Sequence, residues 1–125
     1  IATDPTNHMA VLQQETGFDG TTFGTPVIST YSATSTGNLT TTSTYSNMPH
    51  TRSGMRVMRM DPTGKLLAVA GSGGLEIFHY HGINPVTYAK TLLKDIPVDY
   101  LYWDHSNHLY AGWKKAVERS LAWAD

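Results

Sequence analysis

Cysteine is absent from the 125 residues, which excludes disulfide frameworks and thiolate metal sites. Charge is scarce as well. Asp, Glu, Lys and Arg make up 15% of the chain and leave a formal net charge of −1, so there is no basic stripe to neutralise phosphates and nucleic acid is not an expected partner. No apolar run approaches the roughly 18 to 20 residues that carry a helix across a bilayer, and no charged leader followed by an apolar stretch opens the chain. Neither a membrane span nor a cofactor is expected.

Thr, Ser and Gly crowd the first half, and together with the missing cysteine this is compatible with an exported, extracytoplasmic bacterial protein. The chain begins at Ile1 without an initiating Met and enters a repeat almost at once. It is expected to be a processed product or a piece of something longer.

Three segments repeat: "TDPTNHMAVLQQ" from Thr3, "MDPTGKLLAVAG" from Met60 and "WDHSNHLYAGWK" from Trp103. The aspartates of the last two copies, Asp61 and Asp104, are 43 residues apart, within the roughly 40 to 50 of one four-stranded propeller blade. Asp4 and Asp61 are 57 apart. Most of the excess falls in "TGFDGTTFGTP", because Tyr31 follows Asp4 by 27 residues where Phe78 follows Asp61 by 17. After that insert the copies run in step again, Thr40 following Tyr31 and Thr87 following Phe78 by nine residues each. An insertion that leaves the flanking register intact reads as a surface loop.

Each copy has a mechanical reading. The Asp-led tetrad supplies turn chemistry: Pro presets φ, Gly or Asn accepts positive φ, and the Asp carboxylate reaches nearby amides. "MRVMRM" before the second tetrad and "KLLAVAG" after it then form neighbouring strands, "GSGG" turns the chain, "LEIFHYH" is a third strand and "PVTYAKTLL" a fourth. Leu75, Ile77, His79 and His81 fall on one face of the third strand, and Glu76, Phe78 and Tyr80 on the other. The near-continuous apolar run at 65–70 predicts a strand covered on both faces. The last stretch breaks the pattern: Trp113, Ala116, Val117, Ser120 and Leu121 recur at helical spacing, so a C-terminal helix competes with strands there.

"MDPTGKLLAVAGSGGLEIFHY", followed by "WDHSNHLYA", resembles the bacterial lactonase-like (phosphogluconolactonase-like) β-propeller family, and "VISTYSATSTGNLTTTSTY" looks like that family's outer two strands. The resemblance covers residues 1 to about 112. It implies an all-β fold of antiparallel four-stranded blades: one at about 1–50, one at about 53–96 and a partial one at about 97–125. It also implies a ring of about seven blades, of which this chain supplies two and part of a third.

The candidate sites follow from the repeats. His50, Arg52 and Arg56 precede or open the innermost strand of the second blade, where a propeller puts its central channel. Arg pairs well with carboxylate or phosphate, so these three are the candidate ligand-binding residues; the competing reading is a solvated loop. "FHYH" spaces His79 and His81 as a metal pair would be, with His105 or His108 as possible further ligands, but the preferred reading is rim or turn histidines and no metal site is assigned. "DHSNH" holds Asp104, His105 and His108, yet its alignment with the other tetrads makes it a turn. "GSGG" precedes a strand and not a helix, so it reads as a hairpin and not a phosphate loop. The aromatic and methionine residues, Met58, Met60, Tyr100, Tyr102 and Trp103 among them, are assigned to packing between blades.

Blades cannot bury their faces alone. The first expected function is therefore structural, through self-association or protein binding, with other blades or copies of the chain as partners. The alternatives are a lactonase-like hydrolase acting on a small anionic lactone, implied by the resemblance, and a non-catalytic propeller that binds a small ligand.

Overall fold

A computed structural model describes residues 1–13, 26–42, 54–112 and 123–124. These residues form strands and turns, with no helix among them, and so none long and apolar enough to cross a membrane. Three antiparallel sheets follow one another along the chain. The first contains β1 (Ala2–Thr3), β2 (His8–Gln13), β3 (Val27–Ala33) and β4 (Leu39–Thr40) in that order. The second contains β5 (Met55–Met60), β6 (Leu66–Gly71), β7 (Gly74–His81) and β8 (Asn84–Lys94), also in chain order. In the third, β10 (His108–Gly112) lies between β9 (Tyr100–Trp103) and β11 (Trp123–Ala124).

The four strands of the second sheet coincide, to within a residue or two, with those expected from the repeat. The equivalence of Thr40 with Thr87 holds in the pairing, since Ser32 faces Thr40 and His79 faces Thr87. The second tetrad is one residue longer than its alignment implies. The Asp61 amide bonds the carbonyl of Leu66, whereas Asp4 and Asp104 bond those of His8 and His108, so β6 opens at Leu66 and not at Lys65. At the C-terminus the helical spacing of 113–121 lies outside the described residues. Trp123 and Ala124, within the stretch that could have been helical, pair instead with Leu109 and His108 as β11, which satisfies backbone groups on the open edge of β10.

The sheets stack face to face, with the second in the middle. Strand alternation sorts its side chains into two cores. Leu67, Val69, Phe78, Tyr80 and Val86 pack with Ala2, Ala10 and Ile28 of the first sheet. Leu66, Ala68, Ala70, Leu75 and Ile77 pack with Leu101, Leu109 and Ala111 of the third. All six residues of β6 are buried, as its apolar run predicts. The first strands of the sheets also adjoin, β5 lying beside both β1 and β9.

Register slips at the start of β5. Met55 faces Gly71 and Val57 faces Ala70, so Arg56 is an extra residue in a β-bulge. The bulge lets Met55 and Met58, three apart, both enter the core against the first sheet.

Candidate functional site

Three Asp-led turns lie in a row along the stacked sheets, the second one residue longer than the other two. The fourth residue has positive φ in every copy: 63° at Asn7, 73° at Gly64 and 65° at Asn107. Such a φ strains most side chains but suits Gly and Asn, which is why the tetrads end as they do. The carboxylate then gathers the turn's donors. Asp4 Oδ1 accepts from the amides of Thr6 (2.8 Å) and His8 (3.0 Å), Asp61 Oδ1 from Lys65 (2.8 Å) and Leu66 (2.7 Å), and Asp104 Oδ1 from Ser106 and His108 (both 2.9 Å).

These bonds tune the acids. Burial opposes charge on Asp4, but the Thr6 and His8 amides outweigh it and hold the carboxyl below its ordinary value. Burial opposes charge on Asp61 too, and is overcome by the Thr63 hydroxyl, the Leu66 and Lys65 amides and the Asn107 side chain. Asp104 is lowered chiefly by the His108 amide. His8 Nδ1 and His108 Nδ1 sit 3.3 and 3.2 Å from the Oδ2 atoms of Asp4 and Asp104. Every one of these groups is occupied within its own turn or by the adjacent turn. The row is scaffolding that joins neighbouring sheets: Gly64 lies against Asp4 and Pro5, and the Asn107 side chain favours the charged form of Asp61.

Further polar ties cross between sheets. Thr30 Oγ1, wholly buried, donates to the carbonyls of Ile83 (2.8 Å) and Asn84 (3.1 Å), and Trp103 Nε1 donates to the Arg59 carbonyl at 3.1 Å. Tyr80 reaches across to the first turn. Burial, with the Asp4 charge nearby, pushes its phenol well above the ordinary range.

Of the candidate ligand-binding residues, His50 and Arg52 lie outside the described residues. Arg56 is the exposed residue of the β5 bulge. His79 and His81 are exposed with rings stacked 6.4 Å apart, and His81 Nε2 is 3.0 Å from Thr87 Oγ1. No group of three or more His, Asp or Glu is placed to hold a metal ion among the described residues. His105 is exposed in the third turn. "GSGG" is a hairpin whose flanking residues, Gly71 and Gly74, face each other.

The packing assignment of the aromatics needs one correction. Met58 is buried and Met60 packs beside it, but Tyr102 is 48% exposed. It stands on the outer face of the third sheet, its ring stacked on that of Tyr110 with centroids 4.9 Å apart and planes 14° from parallel. Nothing local in the sequence tells which face of the sheet has a neighbour.

The sheet faces are where the repeat becomes informative. Ala10, Ala68 and Tyr110 are equivalent by strand pairing, since the residues one before them face Thr3, Met60 and Trp103, each just ahead of its aspartate. Ala10 and Ala68 are wholly buried because another sheet follows; Tyr110 is only half-buried. On the opposite faces, Leu67 and Leu109 are wholly buried under a preceding sheet, while their equivalent Met9 is half-buried, as are Val11, Ser29 and Tyr31 around it. Comparison of the chain with protein-family models, with curated proteins and with solved structures found no match in any of the three.

Proposed function

We propose that each sheet is a β-propeller blade and that the chain is an interaction module, working through association of its two outer sheet faces with further sheets of the same kind. One observation carries this reading. Positions wholly buried wherever a neighbouring sheet is present, at Ala10, Ala68, Leu67 and Leu109, remain partly open at the ends of the stack, at Tyr110 and Met9. A sheet face of this kind gains most by meeting another, because each Å² of apolar surface still in water contributes about 25 cal/mol when it is covered. Four strands in chain order in the first two sheets, face-to-face stacking and adjoining first strands support the blade assignment. Of the residues that the lactone-hydrolase reading names, Arg56 lies among the described ones, exposed in the β5 bulge.

Light scattering coupled to size-exclusion chromatography tests the proposal. The expected mass is a multiple of 13.7 kDa. A monomer across the micromolar range overturns it, and hydrolysis of a small anionic lactone that disappears in Arg56→Ala replaces it with the enzymatic reading.

A further inference from the structure

We infer that copies of this chain join head to tail, the Met9–Val11–Tyr31 face of one covering the Tyr102–Tyr110 face of another. The inference rests on the association proposed above and adds its polarity and its partner.

The stack inside the chain runs in one direction. At both internal junctions the face bearing the small residue, Ala10 and then Ala68, lies against the opposite face of the next sheet, led by Leu67 and then Leu109. Met58 and Leu101, each three residues before its aspartate, occupy the same place in those two receiving faces. The two open faces are therefore of opposite kinds. The first sheet offers a receiving face, and the third offers a face that has to be received. Two first faces, or two third faces, would set like against like and lose the register that both internal junctions share.

The third sheet's open face differs in one respect that favours a separate chain as occupant. Where the internal junctions carry Ala10 and Ala68, it carries Tyr110 stacked on Tyr102. Tyrosine tolerates water before assembly and anchors contact after it, and it is enriched where chains meet. Met9 and Tyr31, side by side across β2 and β3, present a thioether and a ring to that pair, a favourable combination.

The row of turns supplies a specific polar contact. Within the chain, the fourth residue of one turn meets the acid of the preceding one: Gly64 lies against Asp4, and the Asn107 side chain helps to hold the Asp61 carboxyl below its ordinary value. Asn7 is the equivalent of Asn107, with the same positive φ, and it is exposed at the start of the row. Repeating the step places Asn7 of the partner subunit on Asp104, the last acid of the row. Heterologous contacts of this kind close into rings or grow into filaments, whereas an isologous contact stops at two.

Complementary blocking tests the polarity. Val11→Arg blocks the first face and Tyr102→Arg the third; Ser29→Arg, paired with Val11 across the sheet, serves in place of Val11→Arg if that variant loses its strand signature by circular dichroism. Each folded variant alone is expected at 13.7 kDa, and an equimolar mixture at twice that mass and no more, because one sound face of each kind remains. Asn7→Gly, which keeps the backbone conformation, is expected to weaken wild-type assembly by about tenfold. A mixture that stays monomeric, or a single-face variant that still dimerises, overturns head-to-tail joining while leaving association standing. A monomeric wild-type chain overturns association itself.

Discussion

Asp61 is buried, whereas its counterparts Asp4 and Asp104 are half-buried, and the difference comes from position. It belongs to the middle sheet, so turns flank it on both sides, and it meets the Asn107 side chain where Asp4 meets Gly64, which has none. Asp61→Ala leaves the Lys65 and Leu66 amides without their acceptor in a buried setting, and is expected to cost about 3 kcal/mol, read as a lower urea midpoint. Tyr80 makes the opposite case. Its hydroxyl is buried with no hydrogen-bond partner among the described residues, so Tyr80→Phe is expected to leave stability unchanged or raise it by up to about 1 kcal/mol. A loss of more than that on thermal melting would show that the hydroxyl is bonded. The tetrads made the three turns legible beforehand, because Asp, Pro and Asn or Gly have local reasons to be there. The influence of Asn107 on Asp61 was not legible, since the two are 46 residues apart and their alignment alone says nothing of contact.

At the scale of the element, the β6–β7 hairpin shows what a strand pair demands of its glycines. Gly74 has φ of 122°, and a Cβ there would stand 2.0 Å from the Leu93 carbonyl oxygen of β8. Both objections concern backbone, which cannot swing aside as a side chain would. Gly74→Ala is expected to destabilise by about 2 to 3 kcal/mol and to loosen β7 from β8, seen as faster amide exchange along both strands. An unchanged melting temperature and exchange pattern would contradict that geometry. The four strands of the second sheet were readable from the turn signals that bound them, with a near-continuous apolar run at 65–70 and alternation at 75–81. The bulge at Arg56 was not, because one extra residue leaves "MRVMRM" with the same composition and nearly the same alternation. The bulge, and not the sequence pattern, decides that Met55 and Met58 share a face.

For the whole molecule, the three lowered carboxyls set the acid limit of stability. A carboxyl whose folded value lies below its unfolded one contributes stability that is fully present above the ordinary value near 3.8 and is lost as pH falls through the folded value. The urea midpoint is therefore expected to hold steady at pH 5 to 7 and to fall below about pH 4, with a smaller fall in Asp61→Asn. A midpoint that stays level to pH 2 would sink this account. Tyr80 works at the other end. Its raised phenol contributes stability present below the ordinary value of about 10 and lost above it, so alkaline unfolding is expected to be blunted in Tyr80→Phe.

Turn residues, strand alternation and the recurrence of the Asp-led segments determined by themselves that this chain is built of antiparallel sheets in series, because those signals are local and repeat within a few residues. Which faces are covered was decided only by the tertiary structure. Ala10, Ala68 and Tyr110 hold one position in three like sheets, and burial of that position depends on whether another sheet lies against it, a property of the neighbour that no residue's own surroundings encode.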